Sequence, residues 1–124
     1  MKAEGTMTSA YGDAEPFITK DGSQIRELMH PTRHGNRAQS LAEATVAVGM
    51  TTALHHHRST EEIYHITQGQ GRMTLGAAIF DVGPGDTICI APGTPHRIGN
   101  IGREALKILC ACAPAYSHED TDLL

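Results

Sequence analysis

The stretch GMTTALHHHRSTEEIYHITQG, Gly49 to Gly69, holds three consecutive histidines, a carboxylate beyond them and a glycine at either end. Side chains of an extended strand alternate between faces, so His55 and His57 point one way and His56 the other. Two imidazoles therefore converge. Four residues separate His57 from Glu62, enough for a short turn, and EEIYHITQ then alternates as a strand expected to return beside the first, bringing Glu62 to both rings. His56 and His65 have the opposite parity and are expected at the surface or in a second layer.

A second stretch, GDTICIAPGTPHRIGN from Gly85 to Asn100, carries one histidine, His96, after a corner built from Pro92, Gly93 and Pro95. Proline fixes its own φ and glycine supplies the freedom a tight turn needs, so the corner sets the direction in which His96 leaves it. His96 joins His55, His57 and Glu62 as a candidate metal ligand. The alternative is a metal-free, hydrogen-bonded polar cluster, in which several imidazole lone pairs would go unused.

These two stretches give the chain a resemblance to the cupins. The first cupin motif, G(X)5HXH(X)3,4E(X)6G, is matched by Gly49, His55, His57, Glu62 and Gly69. The second, G(X)5PXG(X)2H(X)3N, is matched by Gly85, Gly93, His96 and Asn100, with Ala91 where the family usually has proline. That departure touches a corner and not a ligand. Weaker similarity to small single-domain cupins runs from about residue 20 to 124. The resemblance implies an all-β, single-domain double-stranded β-helix, the cupin jelly-roll barrel, with a metal on His55, His57, Glu62 and His96. It implies no particular reaction, because cupins include dioxygenases, isomerases, epimerases, decarboxylases, lyases, sugar-binding regulators and storage proteins.

Composition limits the remaining classes. With 124 residues, 40% of them hydrophobic and 19% charged, the chain is an ordinary globular domain large enough to build a core without crosslinks. The net charge of -4, with no local cluster of Lys or Arg, argues against nucleic acid as a partner. No apolar run approaches the roughly 20 residues that cross a bilayer, and MKAEGTMTSAYGDAE lacks the apolar segment of a secretory signal. No membrane partner and a cytoplasmic location are therefore expected. Cys89, Cys110 and Cys112 make an odd count that suits a reduced compartment. Cys110 and Cys112 share one strand face, as small core residues or as thiols lining a pocket, and neighbours at that spacing are poorly placed to form a disulfide.

Along the chain, residues 1–15 read as a mobile arm, 16–114 as the barrel, and 115–124 as a tail. The tail is either solvated or folds Tyr116 or His118 back over the barrel mouth or a neighbouring subunit. LAEATVAV, EIYHIT, GRMTL, AIFDV, DTICIA and EALKILCACA read as strands separated by turn signals, with no sustained helical period. His30 and His34, beside Pro31 and Gly35, are expected in a solvated loop.

Imidazole and carboxylate together suit one divalent first-row ion per chain, Fe, Mn, Ni, Co, Cu or Zn. Four protein ligands leave two positions on a six-coordinate ion and none on tetrahedral zinc. Tyr64 and Ile66 share the face of Glu62, and Ile98 that of His96, which makes them candidate pocket walls. Tyr64, Tyr116, His118 and Glu43 are candidate acid–base groups whose geometry the spacing does not fix. Three Tyr, two Phe and no Trp leave little to stack on a large aromatic substrate, and no Lys or Arg pair within the motifs marks a phosphate clamp. The expectation is a metalloenzyme for a small oxygenated or anionic substrate, of dioxygenase or isomerase type. The competing reading is a non-catalytic, metal-dependent binding or structural module. A homodimer is expected in either case, C2 pairing being the commonest closed assembly.

Overall fold

The structure, a computed structural model, describes residues 6–124. Its strands are β1 (Phe17–Ile18), β2 (Gln24–Met29), β3 (Ser40–Val46), β4 (His55–His57), β5 (Glu61–Gln68), β6 (Gly71–Leu75), β7 (Ala78–Val82), β8 (Thr87–Ile90), β9 (His96–Asn100), β10 (Leu106–Ala113) and β11 (Thr121–Leu123). A single helical turn, α1 (Pro31–His34), joins β2 to β3. The strands form two antiparallel sheets, ordered β1-β2-β3-β10-β5-β8 and β11-β4-β9-β6-β7. These are the two walls of the expected jelly-roll barrel, and no helix among the described residues is long and apolar enough to cross a membrane.

Alternation decides what each strand turns inward. On β5 the buried residues are Glu62, Tyr64 and Ile66, and on β10 they are Leu106, Ile108, Cys110 and Cys112. The register sets Cys112 opposite Glu62 and Cys110 opposite Tyr64. Ile66, Met73, Ile90, Ile98, Leu106 and Ile108 are essentially without solvent contact and form the apolar half of the interior. Each such side chain contributes about 1.5–3 kcal/mol on leaving water. Strand boundaries read from sequence agree for GRMTL and AIFDV and are close for the other four segments.

One pairing differs from the expectation. β5 does not return beside β4; the chain crosses at Arg58–Thr60 into the opposite sheet, where β5 pairs with β10 and β8, while β4 pairs with β9 and β11. The corner is held by partners distant in sequence. The Asp120 carboxylate accepts from the backbone N–H of Ser59 (2.9 Å) and Thr60 (3.1 Å), the Asp120 carbonyl accepts from Arg58 (2.9 Å), and the Thr60 hydroxyl donates to the Pro114 carbonyl (2.9 Å). Glu62 therefore meets the imidazoles across the barrel.

The C-terminal segment is not a solvated tail. Its β11 completes the smaller sheet beside β4, with Thr121 opposite His57 and Leu123 opposite His55. Lys20 Nζ donates to the carbonyls of His118 and Thr121, and Tyr116 N–H donates to the Ser40 hydroxyl (2.9 Å). His30 is likewise no free loop residue: its Nδ1 caps α1 by accepting from Thr32 N–H (3.1 Å), and its Nε2 lies 2.7 Å from the Tyr116 carbonyl. Ahead of β1, Tyr11 donates to Glu43 and Arg26 reaches the Ala14 carbonyl (2.7 Å) while stacking over the Tyr11 ring.

Asp120→Ala should cost about 0.5–1.5 kcal/mol in urea unfolding, because it removes the acceptor of the Ser59 and Thr60 backbone N–H groups at the corner. Burial tends to raise the pKa of this carboxyl, but the hydrogen bonds from Ser59 and Thr60 outweigh it and hold the group below its usual range. Its contribution is therefore present above the unfolded carboxyl's pKa and lost as pH falls through the depressed folded value. The gap between wild type and Asp120→Ala should close over that acidic window; a gap independent of pH would refute the assignment.

Candidate metal centre

β4 and β9 set His55 opposite His96, and β4 parity adds His57 on the same face. All three are buried, and one ring nitrogen from each lies within 4.8 Å of those from the others, so the trio could hold a metal ion. The ring centroids stand 4.2 to 5.4 Å apart. His56 points outward to Asp122 (3.0 Å), its neighbour on β11, and His65 faces the Thr87 hydroxyl (2.8 Å) on the outer side of β5.

Each ring is anchored through Nδ1. His55 Nδ1 lies 2.8 Å from the Ala53 carbonyl and His96 Nδ1 lies 2.9 Å from the Thr94 carbonyl; a carbonyl only accepts, so each Nδ1 carries the proton. His57 Nδ1 lies 2.8 Å from the Thr121 hydroxyl, whose own hydrogen is directed to the Ser117 carbonyl (2.9 Å), so here too Nδ1–H is the donor. The three Nε2 lone pairs then face the interior, the tautomer that metal-bound histidines adopt. His96 Nε2 is buried with no hydrogen-bond partner.

Glu62 enters from the opposite sheet, its Oε1 3.0 Å from His57 Nε2 and 3.7 Å from His96 Nε2. Its Oε2 accepts from the Cys112 thiol (3.4 Å). With the imidazoles in the Nδ1–H form, Oε1 and Nε2 are two acceptors at contact distance, which a proton or a metal cation must bridge. Burial pushes the Glu62 pKa upward, but the facing His57 and His96 rings prevail, through a proton held between Oε1 and Nε2, and bring it down to about 2. Burial, followed by the neighbouring His96, lowers the pKa of His55 and keeps that ring neutral.

The site opens on a cavity of about 50 Å³ with an apolar floor that includes Val46, Ile98 and Ile108. Phe17, Glu27 and Tyr116 line both this cavity and an outer pocket of about 290 Å³ flanked by His30, Arg33 and His118. Of the acid–base groups expected from sequence, Tyr64 is buried in the cavity wall with its ring 6.0 Å from that of His96, and burial raises its pKa so that the phenol stays neutral. Tyr116 lies at the mouth, its hydroxyl 3.1 Å from both the Thr19 hydroxyl and His118 Nδ1. His118 is exposed in the outer pocket, and Glu43 faces away from the cavity toward Tyr11 and Lys107. Both Cys110 and Cys112 line the cavity as free thiols.

Three further groups were not singled out in the sequence. Thr121 anchors His57 from a segment with no strand signal of its own. Asp21, within an Asp-Gly turn, places its Oδ2 3.8 Å from His55 Nε2. Glu27 on β2 is buried, with Oε1 lacking a partner; its parity with Ser23 and Ile25 is the one signal that could have placed it inside.

The family model for the Cupin domain matches residues 42–112. The uncharacterized protein MJ1618 of Methanocaldococcus jannaschii is 57% identical over 114 residues, which cover 92% of this chain and 91% of that protein. Among solved structures, a predicted oxalate decarboxylase from Thermotoga maritima superposes with a TM-score of 0.76 at 22% identity, covering 87% of this chain and 99% of that one. The nucleoside dehydratase Pac13 from Streptomyces superposes with a TM-score of 0.77 at 17% identity, covering 96% of this chain and 91% of that one. At these identities the two superpositions establish a shared fold.

Burial raises the pKa of Glu27, with the nearby His30 and Arg33 opposing it only in part. A carboxyl whose folded pKa is raised stabilises the fold below its unfolded pKa and loses that contribution as pH rises through the folded value. Glu27→Gln should therefore gain in Tm relative to wild type as pH rises from 4 to 8. A difference in Tm that stays flat across this range would exclude a buried, uncompensated carboxylate.

Proposed function

This chain belongs to the cupin family, and from that premise we propose that it is a mononuclear metalloenzyme acting on a small oxygenated or anionic substrate. In this reading His55, His57, Glu62 and His96 hold one divalent transition ion. The observation that carries it is the close approach of Glu62 Oε1 to His57 Nε2 (3.0 Å), two acceptors facing each other beside the partnerless His96 Nε2. Such an ion supplies Lewis acidity or an oxygen-activating centre when bound.

The residues around the site define what reaches it. The cavity of about 50 Å³ is small, which favours a substrate whose reacting end is a compact group such as a carboxylate or a hydroxy-carbonyl unit. The remainder lies in the outer pocket, where Arg33 and His118 face the space together with Glu27 and Glu119, a mixed lining suited to a polar, oxygenated group. Tyr116 and Glu27 stand between the two spaces. Glu27 has a free carboxyl oxygen and a raised pKa, so it is suited to hold a proton at Oε1 and pass it to a substrate atom at the mouth. This favours proton-moving chemistry of the isomerase type over a purely oxidative reaction. The two structural neighbours are named for a decarboxylation and a dehydration, both of which also move protons.

Elemental analysis of protein purified without added metal should give close to one ion per chain. His57→Ala should lower bound metal about tenfold or more, and His56→Ala should leave it nearly unchanged. Equal losses would refute the ligand set. If metal-stripped protein unfolds, and no Mn, Fe, Co, Ni, Cu or Zn form turns over small hydroxy or keto acids, the binding-module reading replaces the enzyme. The exposed Ile79 and Phe80 on edge strand β7 support pairing into a homodimer, which light scattering on a size-exclusion column should register as twice the chain mass. A single-chain mass at micromolar concentration would remove that part of the proposal.

A further inference from the structure

Asp21 lies in the turn between β1 and β2, and the turn is built to aim it. Thr19 N–H donates to the Ser23 carbonyl (3.0 Å), Gly22 N–H donates to the Thr19 carbonyl (3.0 Å), and Gly22 has a φ of 93°, in the left-handed region that glycine tolerates. The Asp21 carbonyl accepts from Ala53 N–H (2.8 Å), which ties the turn to the chain entering β4. One carboxylate oxygen, Oδ1, accepts from both Ser23 N–H (2.9 Å) and the Ser23 hydroxyl (2.7 Å). The other, Oδ2, points at His55 Nε2 from 3.8 Å, on a side chain only 11% exposed. Among the described residues no Lys or Arg pairs with it, and the adjacent Lys20 is turned away to the carbonyls of His118 and Thr121.

Two donors each about 2.1 Å from a shared ion stand about 3 Å apart at right angles and about 4.2 Å apart when opposed. The contacts of His57 and His96 with Glu62, at 3.0 and 3.7 Å, fall in this span, and so does that of His55 with Asp21, at 3.8 Å; the donors that all lie within 4.8 Å of one another are the three histidines, and each carboxylate approaches them from its own side. A ligating carboxylate is itself held by hydrogen bonds, as Ser23 holds Asp21 and Cys112 holds Glu62. We infer that Asp21 is a fifth protein donor to the metal. This rests on the metal-site reading above and changes its character. Two carboxylates neutralise a divalent ion, and five donors leave a six-coordinate ion one exchangeable position. A substrate that binds through two oxygens must displace one of the protein donors, whereas one that binds through a single oxygen need not.

The test uses full-length, metal-stripped protein with Co²⁺ followed by calorimetry and Mn²⁺ followed by water-proton relaxivity. Wild type should take up one Co²⁺. Asp21→Asn keeps an amide oxygen for Ser23 and so keeps the turn; it should bind Co²⁺ at least about tenfold more weakly, and its Mn²⁺ form should show higher relaxivity as water fills the vacated position. Ser23→Ala, which removes the hydroxyl bond to Oδ1 and keeps the backbone one, should shift both readings in the same direction by less. Unchanged affinity and relaxivity in Asp21→Asn would overturn the fifth donor and leave the four-ligand site standing. A wild type that takes up no Co²⁺ would defeat the metal site itself. Should circular dichroism show Asp21→Asn unfolded, Asp21→Ala decides, and wild-type Co²⁺ affinity and Mn²⁺ relaxivity in that variant overturn the inference.

Discussion

Three imidazoles share a largely apolar cavity here, and they can present their lone pairs inward only if each is held with its proton on the outer nitrogen. Two rings meet that constraint locally, because His55 and His96 each bond the carbonyl two residues upstream. The third cannot. His57 is held by the Thr121 hydroxyl, whose hydrogen is committed to the Ser117 carbonyl and which is therefore free only to accept. The orientation of one ring thus depends on where β11 lies, and β11 in turn depends on Asp120 at the corner and Lys20 beneath it. A polar network of this kind is stable only when every member is satisfied, so corner, strand and ring stand together.

Much of the site was legible in the sequence because it rests on period-2 alternation. The inward pair His55 and His57, the inward run Glu62, Tyr64 and Ile66, and the shared face of Cys110 and Cys112 all follow from parity and hold in three dimensions. The spacing of Gly69 was visible but its reason was not: its φ is 87°, and a Cβ there would come within 2.9 Å of the Ala105 carbonyl oxygen. What escaped the reading depends on contacts distant in sequence. Nothing in RSTEE says whether the chain turns back or crosses the barrel, since the deciding acceptor is Asp120. β2 was missed because a buried Glu27 breaks its binary pattern, and β11 because three residues flanked by acids carry almost no periodic signal.

The thiols of β10 show how burial reassigns a reactive residue type. A low pKa would make Cys112 a nucleophile or a soft ligand, but desolvation first, and then the Glu62 carboxylate beside it, push its pKa far upward. The thiol stays protonated and acts as a donor to Glu62 Oε2. Its role follows from register, because β10 and β5 set Cys112 directly opposite Glu62. The same wall carries Tyr64, also held neutral by burial, so neither the thiol nor the phenol adds charge beside the Glu62 carboxylate.

The dependence of His57 on Thr121 has a consequence in time. The two residues are 64 positions apart, and a chain is made from its N-terminus at about 5–20 residues per second. For about 3–13 s of every synthesis, then, His57 exists without the hydroxyl that fixes its proton. During that interval the histidine cluster offers at most two self-anchored rings to any ion it meets, His55 and, once it has been made, His96. Completion of the binding geometry is thereby coupled to the arrival of the last strand.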